Sequence, residues 1–292
     1  MDLSIVILNY KQKGLLKQCI KGIVASQPKL EYELIIVDNN SNDDSLAMVD
    51  QLFIKKNDAS YQPKLPINQP LKTPPIKKIA AQENNGFAAG NNLGISEAAG
   101  QYVMILNPDV AVIPTALEQM VAYLDINPKI GIIGPRLINP DGSVQFSCRR
   151  FPNSLMPLYR RTIFGKLSFA KKLTDRYLMR DFDHESIAEV DWLFGACLLL
   201  RKEALEKLGS FDERFFMYFE DLDLCRRFLQ GGFKVVYFAP VEMVHYHQQF
   251  SAERGGVLGI FKKGGRIHSI SGFKYFAKYW GVKLPSLRAG QN

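Results

Sequence analysis

Four short runs of strand character, residues 3–8, 34–37, 76–81 and 102–106, each end on polar residues, and segments of helical spacing stand between them. Runs of this length fit strands rather than helices. After the first run, Leu15, Leu16, Cys19, Ile20 and Ile23 fall on one side of a helix, and after the second, Leu46, Val49 and Phe53 do the same behind Asp43 and Asp44. Residues 88–99 follow the third. Leu117, Met120, Val121 and Leu124 follow the fourth, with Pro114 expected as the first helical residue. Apolar strands alternating with amphipathic helices must be covered on both faces, which predicts an α/β fold with a mainly parallel, Rossmann-like sheet. A chain of 292 residues with 47% hydrophobic content can build one such domain and an appendage.

In an open parallel sheet, ligands sit beyond the carboxyl ends of the strands, near the point where strand order reverses. Here those ends carry Asn9 and Tyr10, then Asp38 with Asn40 and Ser41, then Asn84, then Asn107 and Asp109. Local turn chemistry accounts for any one of them. Four in succession point to a ligand site along this edge. The loop at 84–92, with Asn84, Phe87, Gly90 and Asn91, brings amides to a helix N-terminus, a natural anion site. It has neither the Gly-Lys-Ser/Thr of a Walker loop nor GxGxxG spacing. Asp109, without basic neighbours in its loop, suits a hard divalent cation. A nucleotide whose diphosphate is neutralised by a metal is the expected ligand, with Asp38 on its base or ribose.

Further along, Glu220, Asp221 and Asp223 crowd behind the aromatic run of residues 215–219. Like charges so close raise one another's pKa, a common route to a general base. Helix capping by Glu220 and Asp221, with Asp223 paired to Arg226 or Arg227, is the plainer alternative. His245 closes a strand expected at 233–237 and its flank, and His247 lies on the same face of an extended segment. His184 and His268, in polar or basic contexts, are expected to be solvated. Trp192 either stacks on a sugar ring or belongs to the core.

Together these segments resemble the family 2 inverting glycosyltransferases of GT-A fold, and most of all their rhamnosyltransferase-like branch. The resemblance is carried by Asn9-Tyr10, residues 37–41, Asn84-Asn85-Gly86-Phe87 with Gly90-Asn91-Asn92, Asn107-Pro108-Asp109, Phe194-Gly195-Ala196, and residues 209–213 and 216–223. It covers the chain to about residue 281 apart from a proline-rich insertion at 55–78. It implies that Asp38 reads the nucleotide base beside Asn9 and Asn40. Asn107-Pro108-Asp109 occupies the place of an Asp-x-Asp metal motif, with one anionic ligand fewer. Asp109 and His245 would hold the metal, Mn on ligand type or else Mg. Asp221 would be the catalytic base, Glu220 would hold the acceptor sugar, and Trp192 and Gly195 would face that acceptor. The implied reaction moves a sugar, rhamnose favoured, from a dTDP- or UDP-linked donor to a glycan or lipid-linked acceptor in polysaccharide synthesis. A nucleotidyltransferase lacks support because no basic glycine-rich loop follows the first strand. A non-catalytic nucleotide-sugar binding module would not need Asp221.

Eight of the 37 basic residues follow Glu253 with no acid among them, which leaves the rest of the chain balanced against its 29 acids. A catalytic domain at 1–253 and a basic, aromatic tail at 254–292 are therefore expected, the tail either lying on anionic lipid or packing on the domain. No recognised nucleic-acid motif accompanies the charge. The start runs straight into a strand and the four cysteines show no finger or CxxC spacing, so a cytoplasmic chain with reduced thiols, peripheral on the inner face of the membrane, is expected.

Overall fold

The computed structural model describes residues 1–53, 74–156, 159, 163–246 and 263–285. The first half runs β1 (Leu3–Asn9), α1 (Lys13–Ala25), β2 (Tyr32–Asp38), α2 (Ser45–Phe53), β3 (Ile76–Ala80), α3 (Gly86–Ser96), β4 (Tyr102–Leu106), β5 (Val110–Ala111), α4 (Ala116–Asp125) and β6 (Ile130–Ile138). The second half holds β7 (Cys148–Arg149), α5 (Ser168–Tyr177), β8 (Ala188–Glu189), β9 (Trp192–Leu193), β10 (Cys197–Arg201), α6 (Lys202–Leu208), α7 (Glu220–Gln230), β11 (Lys234–His245) and α8 (Lys263–Lys278).

The main sheet has the order β3-β2-β1-β4-β10-β6-β11-β5, with β8 also on β11. The chain lays β2 and β3 outward on one side of β1, then places β4 in parallel on its other side. Strand order thus reverses between β1 and β4, and Asn9 and Asn107 stand at that crevice. All seven residues of β2 are buried, as expected of a strand covered on both faces. One face packs α1 and α4 through Ile20, Ile23, Leu117 and Met120. The other packs α6 and α7 through Leu205, Leu222, Leu224 and Phe228. Each such side chain contributes about 1.5–3 kcal/mol of burial.

Periodicity missed some features. β10 runs antiparallel between β4 and β6, a reversal that its continuous apolar run Cys197–Arg201 cannot announce. β11 extends well past residue 237, with a register irregularity between Phe238 and Glu242. Pro114 precedes the helix, because Thr115 turns left-handed (φ 65°) before α4 begins. Ile76, Lys77 and Lys78, the end of the expected insertion, pair with β2 as part of β3; residues 54–73 lie outside the described residues. The four cysteines are buried and free.

The tail helix packs on α7. Tyr275 is buried, Arg226 lies 3.7 Å over the Tyr279 ring, and Arg226 Nη2 donates to Val282 O at 3.0 Å. Its outer face leaves Ile270, Phe273 and Trp280 exposed, Trp280 at 88%.

Candidate active site

At the carboxyl ends of β1 and β2, Asn9 Nδ2 donates to Asp38 Oδ1 at 2.7 Å and to Ser41 Oγ at 3.1 Å. Ser41 donates its hydroxyl to Asp38 Oδ1 (2.5 Å) and its amide to Asp38 Oδ2 (3.0 Å). Asp38 is thus locked in place by three donors with both oxygens at the sheet edge, as a carboxylate that must meet a ligand in one orientation requires. Asn40 beside it is left-handed (φ 60°), and Tyr10 stands exposed at the mouth. Asn39, which sequence reasoning missed, donates to Asn84 Oδ1 at 2.9 Å and to Gly86 O at 3.0 Å. It ties the end of β2 to the loop that opens α3, and Asn84 is occupied holding that tie together with Gly86 N.

The expected anion cradle at α3 is altered by this architecture. The Gly86 amide goes to Asn84 and the Phe87 amide donates to Phe216 O at 2.7 Å, so two of the donors are used within the chain. Gly86 itself (φ 89°) is required, since a Cβ there would lie 2.0 Å from Phe216 O. Gly90 is a packing glycine: its Cβ would meet Leu8 Cδ1 at 2.5 Å. Asn91 is buried and donates to Phe87 O inside its own helix. Phe87 turns the other way, and a Cβ on Gly195 would touch its ring at 3.3 Å.

Asp109 and His245 converge. Val110 pairs with His245 in the β5–β11 ladder, the Tyr246 amide donates to Asp109 O, and His245 Nε2 stands 3.4 Å from Asp109 Oδ1. That Asp109 oxygen is buried and accepts no hydrogen bond. Gln145 explains the ring's orientation. Its Nε2 donates to His245 O (2.9 Å) and Asn139 Oδ1 (2.7 Å), so Gln145 Oε1 faces His245 Nδ1 at 2.8 Å. An acceptor there places the proton on Nδ1 and leaves the Nε2 lone pair toward Asp109. Sequence reasoning missed Gln145, because one hundred residues separate it from His245. His247 lies outside the described residues, and among those residues no cluster of three or more acidic, His or Cys side chains forms a closed metal cage.

The carboxylate cluster opens α7 as expected. Tyr218 and Phe219 both sit at φ 71°, two successive left-handed aromatic residues, a costly backbone that turns Glu220 and Asp221 inward. Asp221 Oδ2 accepts from Gly195 N at 3.0 Å and Oδ1 from Leu222 N at 2.8 Å. Glu220 is 5% exposed and its Oε2 has no hydrogen-bond partner. Burial pushes both carboxyls up, and the Asp221 charge raises Glu220 further. Burial and the Asp221 charge favour the proton on Glu220, while the two amide donors oppose the upward push on Asp221. The adjoining segment links this carboxylate to the Asn107–Asp109 loop, since Asn107 N donates to Ala196 O one residue beyond Gly195. Asp223 is fully buried and structural, bonded to Arg227 Nε (2.8 Å), Lys278 Nζ (2.5 Å) and Tyr279 OH (2.8 Å).

Trp192 is a core residue, 6% exposed, its indole N–H donated to Arg150 O at 3.0 Å, and it offers no face to a sugar. The residues nearer the site are Phe194, half-buried, and Arg149, whose guanidinium lies 4.3 Å over the Phe194 ring. The expected solvation of two histidines is overturned. His184 is buried among Phe146, Phe182 and Tyr237, with its Nε2 3.1 Å from Met179 O. His268 packs on Tyr218 and Phe219.

The model of glycosyl transferase family 2 matches residues 4–209, which takes in β1 to α6 and stops short of α7. The N-acetylglucosaminyl-diphospho-decaprenol L-rhamnosyltransferase of Mycobacterium tuberculosis is 32% identical over 184 residues, 59% of this chain and 59% of that protein. The match thus spans under two thirds of the relative's length. Rhamnosyltransferase WbbL of Escherichia coli is 25% identical over 203 residues, 66% of this chain and 70% of WbbL. Among solved structures, GalNAc-T7 with UDP, GalNAc and Mn2+ shares the fold at a TM-score of 0.60 and 16% identity, covering 84% of this chain and 44% of that one.

Proposed function

The chain belongs to glycosyl transferase family 2, and from that premise we propose that it transfers a sugar with inversion from a nucleoside-diphosphate donor to a hydroxyl of a glycan or lipid-linked acceptor. The observation that carries this reading is the Asp221 carboxylate, oriented by the amide of Gly195 in the turn between β9 and β10, where the next carbonyl, Ala196 O, receives the Asn107 amide. A base and a nucleotide corner on adjoining segments are what a single displacement needs. Asp221 takes the proton of the acceptor hydroxyl as its oxygen attacks the anomeric carbon. Neutral Glu220 orients the acceptor by donating a hydrogen bond. Asp38, held by Asn9 and Ser41, binds the base or ribose of the donor. Two relatives named as rhamnosyltransferases support rhamnose as the sugar, and dTDP or UDP is the carrier we propose for it.

Asp109 and His245 fit a divalent cation: a buried carboxylate oxygen without a hydrogen bond faces an imidazole nitrogen whose tautomer Gln145 sets. When bound there, Mn or Mg would supply positive charge to the leaving diphosphate. With few anionic ligands, Mn2+ affinity measured by electron paramagnetic resonance is expected to be weak alone and to rise when UDP or dTDP is added. Asp109→Ala should abolish that binding, and Gln145→Ala should weaken it by about 10-fold or more through loss of the ring's orientation. Tight Mn2+ binding without nucleotide, or a loss confined to His247→Ala, would replace this ligand pair.

The protein is proposed to work at the inner membrane face, where a lipid-linked acceptor lies. No helix among the described residues is long and apolar enough to cross a membrane. The outer face of α8, with Arg266, Ile270 and Phe273 exposed, and Trp280 exposed in the turn after it support contact with anionic lipid. Each basic residue near such a surface is worth about 1 kcal/mol, screened over a Debye length of about 8 Å. Lys278 takes no part, because it is committed to Asp212 and Asp223. Salt-sensitive sedimentation with phosphatidylglycerol vesicles is expected to weaken in Arg266→Ser/Phe273→Ser/Trp280→Ser, with nucleotide affinity unchanged. Equal sedimentation with anionic and neutral vesicles would leave α8 a packing element alone.

A further inference from the structure

Arg149 is a cation for which the fold supplies rings rather than a carboxylate. Arg150 stands 3.6 Å from Asp191 and Arg180 2.7 Å from Asp175. Arg149 has no acid within ion-pair distance among the described residues. Its guanidinium lies 4.3 Å over Phe194 and 5.4 Å from the centroids of Tyr177 and Trp192. Nε donates to Phe146 O at 3.3 Å and Nη1 to Tyr177 OH at 3.2 Å, which fixes the plane of the fork. Of its five N–H groups three, both on Nη2 among them, find no acceptor in the described residues. The side chain is half-buried, so these donors are partly withdrawn from water yet reachable.

Its place in the fold says what they face. Arg149 pairs with Trp192 in the β7–β9 ladder, its ring partner is Phe194, and the next residue, Gly195, gives its amide to Asp221. Arg149 and Asp221 are close enough that the guanidinium charge opposes the upward push of burial on the Asp221 carboxyl. On the transferase reading above, Asp109 and Asp38 serve the donor, which leaves the cation beside the base to serve the acceptor. A planar fork 4.3 Å over a ring, with both Nη2 donors unused by the described residues, is suited to bidentate recognition of phosphate oxygens.

We propose that Arg149, stacked on Phe194, is the anion subsite of the acceptor, and that the acceptor accordingly carries a phosphate or diphosphate ester beside the sugar whose hydroxyl is glycosylated. This rests on the transferase reading above. Neutral glycans and protein hydroxyls would leave the guanidinium unanswered. A diphosphate ester of a lipid answers it and also fits a site near the membrane.

The test uses the full chain saturated with Mn2+ and whichever of dTDP, UDP or GDP gives the largest thermal shift, so that the donor site is filled. Geranyl diphosphate and geraniol are then titrated as probes. Wild type is expected to bind the diphosphate at least about tenfold better than the alcohol, as a charged hydrogen-bonded contact implies. Arg149→Gln should lose that advantage with nucleotide affinity unchanged, and Arg149→Lys, which keeps charge without the fork, should recover part of it. Phosphatidylglycerol vesicles should bind wild type and Arg149→Gln alike. No preference for the diphosphate in wild type overturns the proposal without any variant. Undiminished binding in Arg149→Gln also overturns it, as does a loss confined to vesicles, which would make Arg149 a headgroup contact. A wild type that binds no nucleoside diphosphate would instead overturn the transferase reading.

Discussion

Asp221→Asn is expected to lower sugar transfer by about a hundredfold or more, the usual scale for a lost general base, while nucleotide–metal affinity holds within about twofold. Asparagine keeps the shape and its single oxygen can still accept from Gly195 N or from Leu222 N, though not from both, so the helix should remain in place. The wild-type pH profile offers a second check. Burial raises the Asp221 carboxyl, and the reaction needs its ionised form, so activity should be lost as pH falls through a value above the ordinary carboxylate range of about 4. Neighbouring Glu220, raised further by burial and by the Asp221 charge, should stay protonated across that limb. Near-wild-type turnover in Asp221→Asn would move the base to Glu220 and leave Asp221 as its orienting partner.

Asp223→Ala is expected to be the most destabilising single change near the site. The carboxylate is fully buried and answers two cations and a phenol, drawn from α7 and from the C-terminal segment. Removing one partner of a buried charge network costs about 3–5 kcal/mol. The lower end applies, because Lys278 keeps Asp212 at 2.7 Å and Arg227 keeps the carbonyls of Leu208, Gly209 and Ser210. About 3 kcal/mol should appear as a melting temperature lower by roughly 5 °C. Asp223→Ala combined with Lys278→Met, which removes the stranded charge as well, should recover part of the loss. A melting temperature unchanged in Asp223→Ala would mean that the network is merely superficial.

Much of the architecture was legible because burial on both faces leaves a period in the residues themselves. β1, β2, β3 and β4 follow from runs of strand character, α1 and α4 from helical spacing, and a polar sheet edge from the residues that close those runs, whereas the strand order itself is not written in them. What stayed hidden involves partners far apart in the chain or the direction a side chain faces. Nothing local shows that Gln145 sets the ring of His245, or that Asn39 is tied to Asn84. Gly90 reads as a loop glycine but is small so that α3 can approach Leu8. Trp192 looks like a sugar platform until Arg150 O is found at its indole nitrogen, and the ring that reaches the site belongs to Phe194, two residues on. Glu220 and Asp221 were visible as a cluster, yet only Gly195 N tells them apart.

The loop before α7 gives the C-terminal helix a second kind of importance. Phe216 O is held by the Phe87 amide of α3, while Arg214 O and Met217 O are held by Lys274 and Ser271 of α8. The turn that aims Glu220 and Asp221 is thus stitched on one side to the donor edge and on the other to a helix that supplies no reacting group. If α8 docks and Asp221 is the base as proposed, whatever grips the outer face of α8 pulls on the same stitches, so docking and the setting of the base share a mechanical path through Met217, and a chain cut after residue 253 would lose its aim together with its address.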